Sequence, residues 1–248
     1  DGTPFSQSGT AQGNGNTVTK LNNPTTGDPE FYILVGSGTG FEKFNPTTNT
    51  WTTLATTPSA VTSGAALVTV GTDIYAFIGN STAFYKYTVS TDVWTAMTSA
   101  PATIGAGGAL AYPGSGDYIY ALQGGAQARF WRYSISGNSW SANGFLTNTP
   151  ANVQGGGSLA FIGTDLYALG GNSTTNFWRY DTTQLPAGTW DTLSGNTTPE
   201  NVTAGGALAS DGTYLYATAG NVGRSYWRYD PGQSSGSRWT RIENVPAK

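Results

Sequence analysis

The stretch that decides the fold of this chain is NFWRYDTTQLPAGTW, residues 176–190. It places Phe177, Trp178, Arg179 and Tyr180 in succession, and Trp190 follows ten residues after the tyrosine. In an extended strand, successive side chains lie on opposite faces and every second side chain shares a face. Trp178 and Tyr180 therefore share one face and Phe177 the other, so we expect this strand to be covered on both faces.

The same pattern returns four more times. The related stretches are GFEKFNPTTNTW (40–51), AFYKYTVSTDVW (83–94), RFWRYSISGNSW (129–140) and SYWRYDPGQSSGSRW (225–239). The closing tryptophans are Trp51, Trp94, Trp140, Trp190 and Trp239, spaced by 43, 46, 50 and 49 residues. Repeats of this length are typical of the blades of a β-propeller.

Each repeat contains four strand-like segments separated by turns rich in Gly, Pro, Asn, Asp and Thr. A small-residue segment such as GGALA (107–111) comes first, followed by a segment such as LYALGG (166–171), the aromatic segment and the segment that the tryptophan opens. The sequence therefore predicts an all-β fold, a five-bladed β-propeller of four-stranded antiparallel blades.

The repeats run in phase from the first strand to the fourth, which predicts that no blade mixes strands from the two termini. We divide the chain into an N-terminal arm (1–12) and one propeller domain (13–248), with blades at about 13–56, 57–99, 100–148, 149–197 and 198–248. The arm is expected to drape over the ring, to lack fixed structure, or to pair with an exposed edge strand of another subunit.

The repeated tryptophan is expected to pack across the interface between blades, together with the tyrosine of the preceding strand. These tyrosines are Tyr87, Tyr133, Tyr180 and Tyr229. Burying one tryptophan removes roughly 200 Å² from water, worth at most about 5 kcal/mol. Packing of these rings should therefore set the aromatic spacing, while loop lengths vary at little cost.

The composition excludes several classes of function. The 248 residues contain no cysteine and no histidine, which removes thiol and imidazole nucleophiles, haem, iron–sulfur clusters and the commonest zinc ligands. We therefore expect no catalysis, no cofactor and no metal. Charged residues make up only 10%, with a net charge of -3 and no basic tract, so nucleic acid is not an expected partner. No apolar run is long enough for a membrane helix, and weak charge repulsion favours self-association.

The layout resembles the kelch-repeat β-propeller family, as a divergent, extracellular, five-bladed member. The resemblance covers about residues 13–246. It rests on the glycine pairs Gly124-Gly125 and Gly170-Gly171, the tyrosine of the third strand and the tryptophan that opens the fourth. It implies a secreted oxidase, a surface protein or a protein-interaction module. Galactose-oxidase-like copper enzymes need histidines and a cysteine, so this chain is not expected to be one.

One rim of the propeller carries the candidate ligand-binding residues. They lie in the turns after the second strand of each blade and are Asn80, Asn172, Asn221, Arg129 and Arg224. The asparagines are equivalent in three blades, and they are either hydrogen-bond donors to a sugar or residues that tolerate a left-handed turn after glycine. We favour the second interpretation.

A cation occupies the same position of the aromatic strand in every blade, namely Lys43, Lys86, Arg132, Arg179 and Arg228. One interpretation is a basic ring for an anionic ligand. The other, which we favour, places each side chain against aromatic rings, with acids such as Asp181 and Asp230 nearby. The acidic residues of the opposite rim are expected to be turn residues rather than calcium ligands.

Several features favour export. The chain starts at Asp1, which fits either a secreted protein whose signal peptide has been removed or a shortened chain, and we favour the first. Asn-x-Ser/Thr sequences make Asn80, Asn172, Asn196 and Asn201 possible glycosylation sites. The sequence thus predicts a non-catalytic extracellular structural or assembly protein, a cell-surface or filament-forming subunit that associates with itself or with other surface proteins. The alternative is a carbohydrate-binding, lectin-like propeller module.

Overall fold

The structure is a computed structural model that describes residues 15–184, 188–220, 225–234, 236 and 238–242. Twenty strands form five four-stranded antiparallel sheets, and each sheet uses four consecutive strands. This confirms the five-bladed prediction. Within the described residues there is no α-helix, and a single 3₁₀ turn, η1, spans Thr182–Gln184. The predicted arm (1–12) and the candidate ligand residues Asn221 and Arg224 lie outside the described residues.

The blades are numbered in chain order, and their four strands run from the centre outward. Blade 1 contains β1 (Thr17–Asn22), β2 (Pro29–Leu34), β3 (Phe41–Asn45) and β4 (Thr50–Thr53). Blade 2 contains β5 (Ala66–Val70), β6 (Asp73–Phe77), β7 (Phe84–Thr88) and β8 (Val93–Ala96). Blade 3 contains β9 (Ala109–Ala111), β10 (Tyr118–Leu122), β11 (Phe130–Ser134) and β12 (Ser139–Trp140). Blade 4 contains β13 (Ser158–Ile162), β14 (Asp165–Leu169), β15 (Phe177–Asp181) and β16 (Trp190–Asp191). Blade 5 contains β17 (Ala207–Ser210), β18 (Leu215–Thr218), β19 (Tyr226–Tyr229) and β20 (Trp239–Ile242).

The second strand of each blade is the most completely buried. In β14 every residue after Asp165 is buried, because neighbouring blades cover both faces of the sheet. The outermost strands are partly exposed, and in blades 3 and 4 they are only two residues long. The aromatic strand lies between these two environments, which explains its mixture of large apolar and charged side chains.

Aromatic rings close the junction between consecutive blades. Phe130 of blade 3 packs edge-on against Tyr180 and Trp190 of blade 4, with centroid distances of 5.1 and 5.0 Å. The indole nitrogen of Trp190 also donates a hydrogen bond to the carbonyl oxygen of Thr147 in blade 3, at 3.0 Å. The same ring contacts recur at the 1–2, 2–3 and 4–5 junctions. The predicted packing of tyrosine and tryptophan across blades is therefore present at these four junctions.

Glycine is required where the blades converge on the axis. Residues just before the first strand of all five repeats line one central cavity of about 380 Å³. There Gly107 has a φ of +85°, and the carbonyl oxygen of Gln154 in the next blade occupies the space that a Cβ atom would need. A side chain at this position would meet both a strained backbone and a neighbouring main chain.

A hydrogen-bonded link that the sequence analysis missed joins some junctions. The hydroxyl of Tyr133 donates to the Oδ1 of Asn138 at 2.7 Å, and the same oxygen accepts the main-chain N–H of Thr98 from blade 2 at 2.9 Å. Tyr87 and Asp92 make the equivalent link to Ala55 at the 1–2 junction. Asn138 and Asp92 have positive φ values, which aim their side chains back at the junction.

Candidate functional site

The candidate rim residues that the structure describes lie on separate blades. Asn80 and Asn172 are exposed, with φ values of +43° and +58°, each directly after a glycine of positive φ. A left-handed turn of this kind is one that asparagine tolerates, so the backbone accounts for both residues without a ligand. Arg129 is half-buried, immediately before β11, where its carbonyl oxygen accepts the N–H of Gln123.

The repeated cation of the aromatic strand is paired with an acid in three blades. Lys43 lies 2.8 Å from Glu30, and Lys86 lies 3.3 Å from Asp73. In blade 4, Arg179 lies 3.5 Å from Asp165, and it also approaches Asp191. These acids lie on the second and fourth strands of their blades. The cation lies on the third strand, between them, so its nearest neighbours are side chains of the two adjacent strands.

The acids expected beside the cation have other contacts. Asp181 accepts hydrogen bonds from Thr183 and Gln184, which lowers the pKa of its exposed carboxyl group. Asp230 accepts the N–H of Gly232. Both therefore stabilise turns. Neither forms the ion pair of its blade in the described part of the chain.

Glu30 is the most deeply buried of the paired acids. Burial alone would raise the pKa of its carboxyl group, but hydrogen bonds from Lys43, Asn23 and Tyr32 outweigh burial and lower it. In this blade the cation therefore neutralises an internal carboxylate. Lys43 has a structural role, as the favoured interpretation of the cation positions predicted.

Blades 3 and 5 replace the acid by tyrosine. Tyr118 and Tyr214 occupy the position that Asp73 and Asp165 hold in blades 2 and 4, two residues before the tyrosine that faces the cation across the strands. The guanidinium carbon of Arg132 lies 4.0 Å from the ring centroid of Tyr118, and that of Arg228 lies 4.5 Å from the ring of Tyr214. Among the described residues, neither arginine forms an ion pair.

Arg132 also lines a surface crevice of about 300 Å³ on blade 3. The other lining residues are Tyr118, Ser134, Ser139, Trp140, Ser141 and Phe145. The Phe145 ring centroid is 4.9 Å from the guanidinium carbon, and this side chain is 41% exposed. The crevice therefore combines aromatic walls and hydroxyl groups with a cation that has no carboxylate partner in the described part of the chain, which is the chemistry of a polar ligand site.

This crevice is not among the sites predicted from the sequence, none of which includes an exposed aromatic residue. A signal for it exists in the sequence. At the second-strand segment, blades 2 and 4 have the sequences DIY (73–75) and DLY (165–167), whereas blades 3 and 5 have YIY (118–120) and YLY (214–216). Aligning the repeats at this position identifies Arg132 and Arg228 as the cations whose blades have a tyrosine in place of the acid.

The faces that flank the junction between blades 5 and 1 are a second surface feature. Val18 is 57% exposed, whereas the leucines at the same position of the other blades are 7–8% exposed. Tyr226 is 39% exposed, whereas the phenylalanines that hold its position in blades 1 to 4 are at most 1% exposed. An apolar groove of about 410 Å³ lies on the blade 1 side, lined by Val18, Phe31, Ile33, Phe44, Pro46 and Trp51.

The possible glycosylation sites differ in accessibility. Asn80, Asn172 and Asn201 are exposed. Asn196 is buried, its Oδ1 accepts the N–H of Gly236, and its carbonyl oxygen accepts the indole N–H of Trp239. Because a glycan on Asn196 would disrupt these contacts, we withdraw this residue as an acceptor in the folded protein.

The described residues contain no cluster of three acidic residues that is suited to a metal ion. Asp92, Asp117 and Asp211 instead accept hydrogen bonds from nearby hydroxyl or main-chain N–H groups. Across the same residues, no helix has the length and apolarity needed to cross a membrane.

The chain is similar to a solved structure titled "Structure of YjhT". The two share 17% identity with a TM-score of 0.71, and the match covers 95% of this chain and 85% of that chain. At this identity the likeness shows the propeller fold alone. No family model and no curated protein sequence matches the chain.

Proposed function

We propose that the protein is a non-catalytic, extracellular structural or assembly protein of the kelch-repeat type, whose copies associate through the exposed faces of blades 1 and 5. The observation that carries this proposal is the exposure of Val18 and Tyr226, at positions that are buried in every other blade. At each internal junction, the face of one blade that carries the Tyr226 position packs against the face of the next blade that carries the Val18 position. The exposed face of blade 5 therefore suits the exposed face of blade 1 on a second copy.

Such an interface joins two different surfaces and is therefore heterologous. Heterologous contacts generate closed rings or open filaments, according to the rotation between copies. The low content of charged residues, 10% of the chain, offers little repulsion against such packing. Export to the cell surface is part of the same proposal, since the exposed Asn80, Asn172 and Asn201 are suitable glycan acceptors there.

Sedimentation velocity over a range of concentrations, with negative-stain imaging, tests this proposal. We expect wild-type protein to associate as the concentration rises, and Val18→Asp and Tyr226→Asp each to shift the equilibrium to monomers. Val93→Asp is the matched control, because Val93 is 49% exposed on the outer strand of blade 2. Monomers at every concentration, or equal effects of all three variants, would contradict the proposal.

The second candidate is a carbohydrate-binding propeller module. The blade 3 crevice supports it, because aromatic rings beside hydroxyl groups suit the apolar and polar faces of a sugar. A glycan array probed with the wild-type protein and with Phe145→Ser tests this role. Binding that is unaffected by the substitution would place glycan recognition elsewhere on the molecule.

A further inference from the structure

We propose that the blade 3 crevice binds a hexuronate-bearing saccharide through its carboxylate, with Arg132 as the main contact. This inference rests on the carbohydrate-binding candidate and names its ligand class. It starts from the contrast between blades, in which Lys43, Lys86 and Arg179 each have a carboxylate partner and Arg132 has none among the described residues.

The Arg132 guanidinium donates a hydrogen bond to the hydroxyl of Tyr120, and no carboxylate among the described residues pairs with its other donors. Its guanidinium carbon lies 4.0 Å from the ring centroid of Tyr118 and 4.9 Å from that of Phe145. Stacking on rings uses the faces of the planar guanidinium, whereas its donors point outward from the edge. The nearby carboxylate of Asp117 accepts its hydrogen bonds from Ser134 and Ser136 rather than from Arg132. An incoming carboxylate can therefore pair with the donors that the Tyr120 hydroxyl leaves free.

The hydroxyl groups of the crevice suit the rest of a sugar ring. The hydroxyl oxygen of Ser141 accepts the main-chain N–H of Arg132, so the hydroxyl proton of Ser141 remains to be donated. Ser139 lines the crevice without a side-chain hydrogen bond to any described residue, while Phe145 offers an exposed apolar surface. A volume of about 300 Å³ is at the lower end of small-ligand sites and suits one or two sugar units.

Blade 5 provides a natural contrast. Arg228 also faces a tyrosine in place of an acid, but the described residues bring only one ring, Tyr214, to its guanidinium, and its Nε is buried without a partner. The second aromatic wall and the lining serines are found on blade 3. The inferred site is therefore assigned to blade 3 alone.

Titration of the full chain with trigalacturonate, followed by calorimetry and by tryptophan fluorescence, tests the inference. Trp140 lines the crevice and supplies the optical signal. Tyr118→Asp installs the acid that blades 2 and 4 carry, so we expect it to pair with Arg132 and to weaken binding by about tenfold or more. Tyr214→Asp makes the same change on blade 5 and should leave the affinity unchanged. Phe145→Ser, at an exposed position, should weaken binding about fivefold.

Maltotriose, a neutral trisaccharide, distinguishes specific recognition of a uronate from carbohydrate binding in general. Binding of trigalacturonate but not of maltotriose, weakened by salt and by Tyr118→Asp, supports the inference. Equal binding of the two sugars overturns it and leaves the carbohydrate-binding role standing. Unchanged affinity in Tyr118→Asp overturns the assignment to Arg132, and absence of binding to trigalacturonate overturns the ligand class.

Discussion

The junction between blades 3 and 4 and the junction between blades 5 and 1 use the same positions of the repeat, but they are covered very differently. At the 3–4 junction, Phe130 is 1% exposed and contacts Tyr180 and Trp190. At the 5–1 junction, Tyr226 holds the position of Phe130 and is 39% exposed. The repeat thus creates two complementary faces on every blade, and only the four internal junctions bring them together fully.

Hydrogen bonding shows the same difference. The indole nitrogens of Trp94, Trp140, Trp190 and Trp239 each donate to a carbonyl oxygen of the preceding blade. Trp51 makes no such bond to a described residue. Blade 1 also has Phe44 where blades 2 and 3 have a tyrosine hydroxyl that links to the blade before. The contrast shows that blade 1 differs from the others in sequence as well as in exposure.

The largest predicted effect contrasts the two junctions directly. Phe130→Ala should lower the free energy of unfolding by about 3–5 kcal/mol, because it leaves a cavity in a packed aromatic cluster. Tyr226→Ala should cost less, about 1 kcal/mol, since this side chain is already 39% exposed and leaves no closed cavity. Chemical denaturation of both variants measures the difference. Equal losses would mean that the 5–1 junction is packed in solution as tightly as the others.

The next largest predicted effect is a loss of stability at the central axis of the propeller, where all the blades converge. Gly107→Ala should destabilise the protein by about 3 kcal/mol, because a Cβ atom there meets the carbonyl of Gln154 and the φ is positive. Gly163→Ala is the control, with a φ of +57° and open space around it, and should cost about 1 kcal/mol. Thermal unfolding compares the two, and an equal shift would show that backbone strain alone decides the cost.

The buried ion pair of blade 1 predicts a dependence on pH. The pKa of Glu30 is lowered in the folded state, so its contribution to stability is present above its ordinary value of 4.5 and is lost as the pH falls through the folded pKa. Glu30→Gln should reduce stability at neutral pH by about 1–2 kcal/mol. It should also flatten the loss of stability between about pH 5 and pH 3.

Urea denaturation at several pH values measures both parts of this prediction. Asp73→Asn in blade 2 is the comparison, since the Lys86–Asp73 pair is longer and more exposed, and we expect a smaller loss at neutral pH. If Glu30→Gln loses stability between about pH 5 and pH 3 as steeply as the wild type, other carboxylates are responsible for the pH dependence of stability.

The smallest predicted effect is the difference in stability cost between removing two tyrosine hydroxyls, both at packed junctions. Tyr133→Phe removes the donor to Asn138 and should cost about 1 kcal/mol. The hydroxyl of Tyr180 is buried without a hydrogen-bond partner among the described residues, and burial raises the pKa of this tyrosine to about 12. Tyr180→Phe should therefore be neutral or slightly stabilising. A cost at Tyr180 equal to that at Tyr133 would reveal a partner for its hydroxyl.

Much of the fold could be predicted because its signals are local and repeated. The alternation in residues 177–181 determines which side chains face each neighbouring blade, and the recurring tryptophan gives the number of blades. The acids that pair with the cations could not be predicted from their distance along the sequence, because they lie on neighbouring strands and not on the strand of the cation. Arg179 pairs with Asp165 and Asp191, which reach it only through the cross-strand register.

The candidate sites show the same division. The sequence by itself determined five blades, the faces of each strand and the absence of histidine and cysteine chemistry, because alternation and composition depend on neighbouring residues alone. Only the tertiary structure decided that Phe145 reaches Arg132, and that Val18 stays exposed where its counterparts are buried. The physical reason is that burial depends on whether a second surface arrives, and that depends on the arrangement of all the blades.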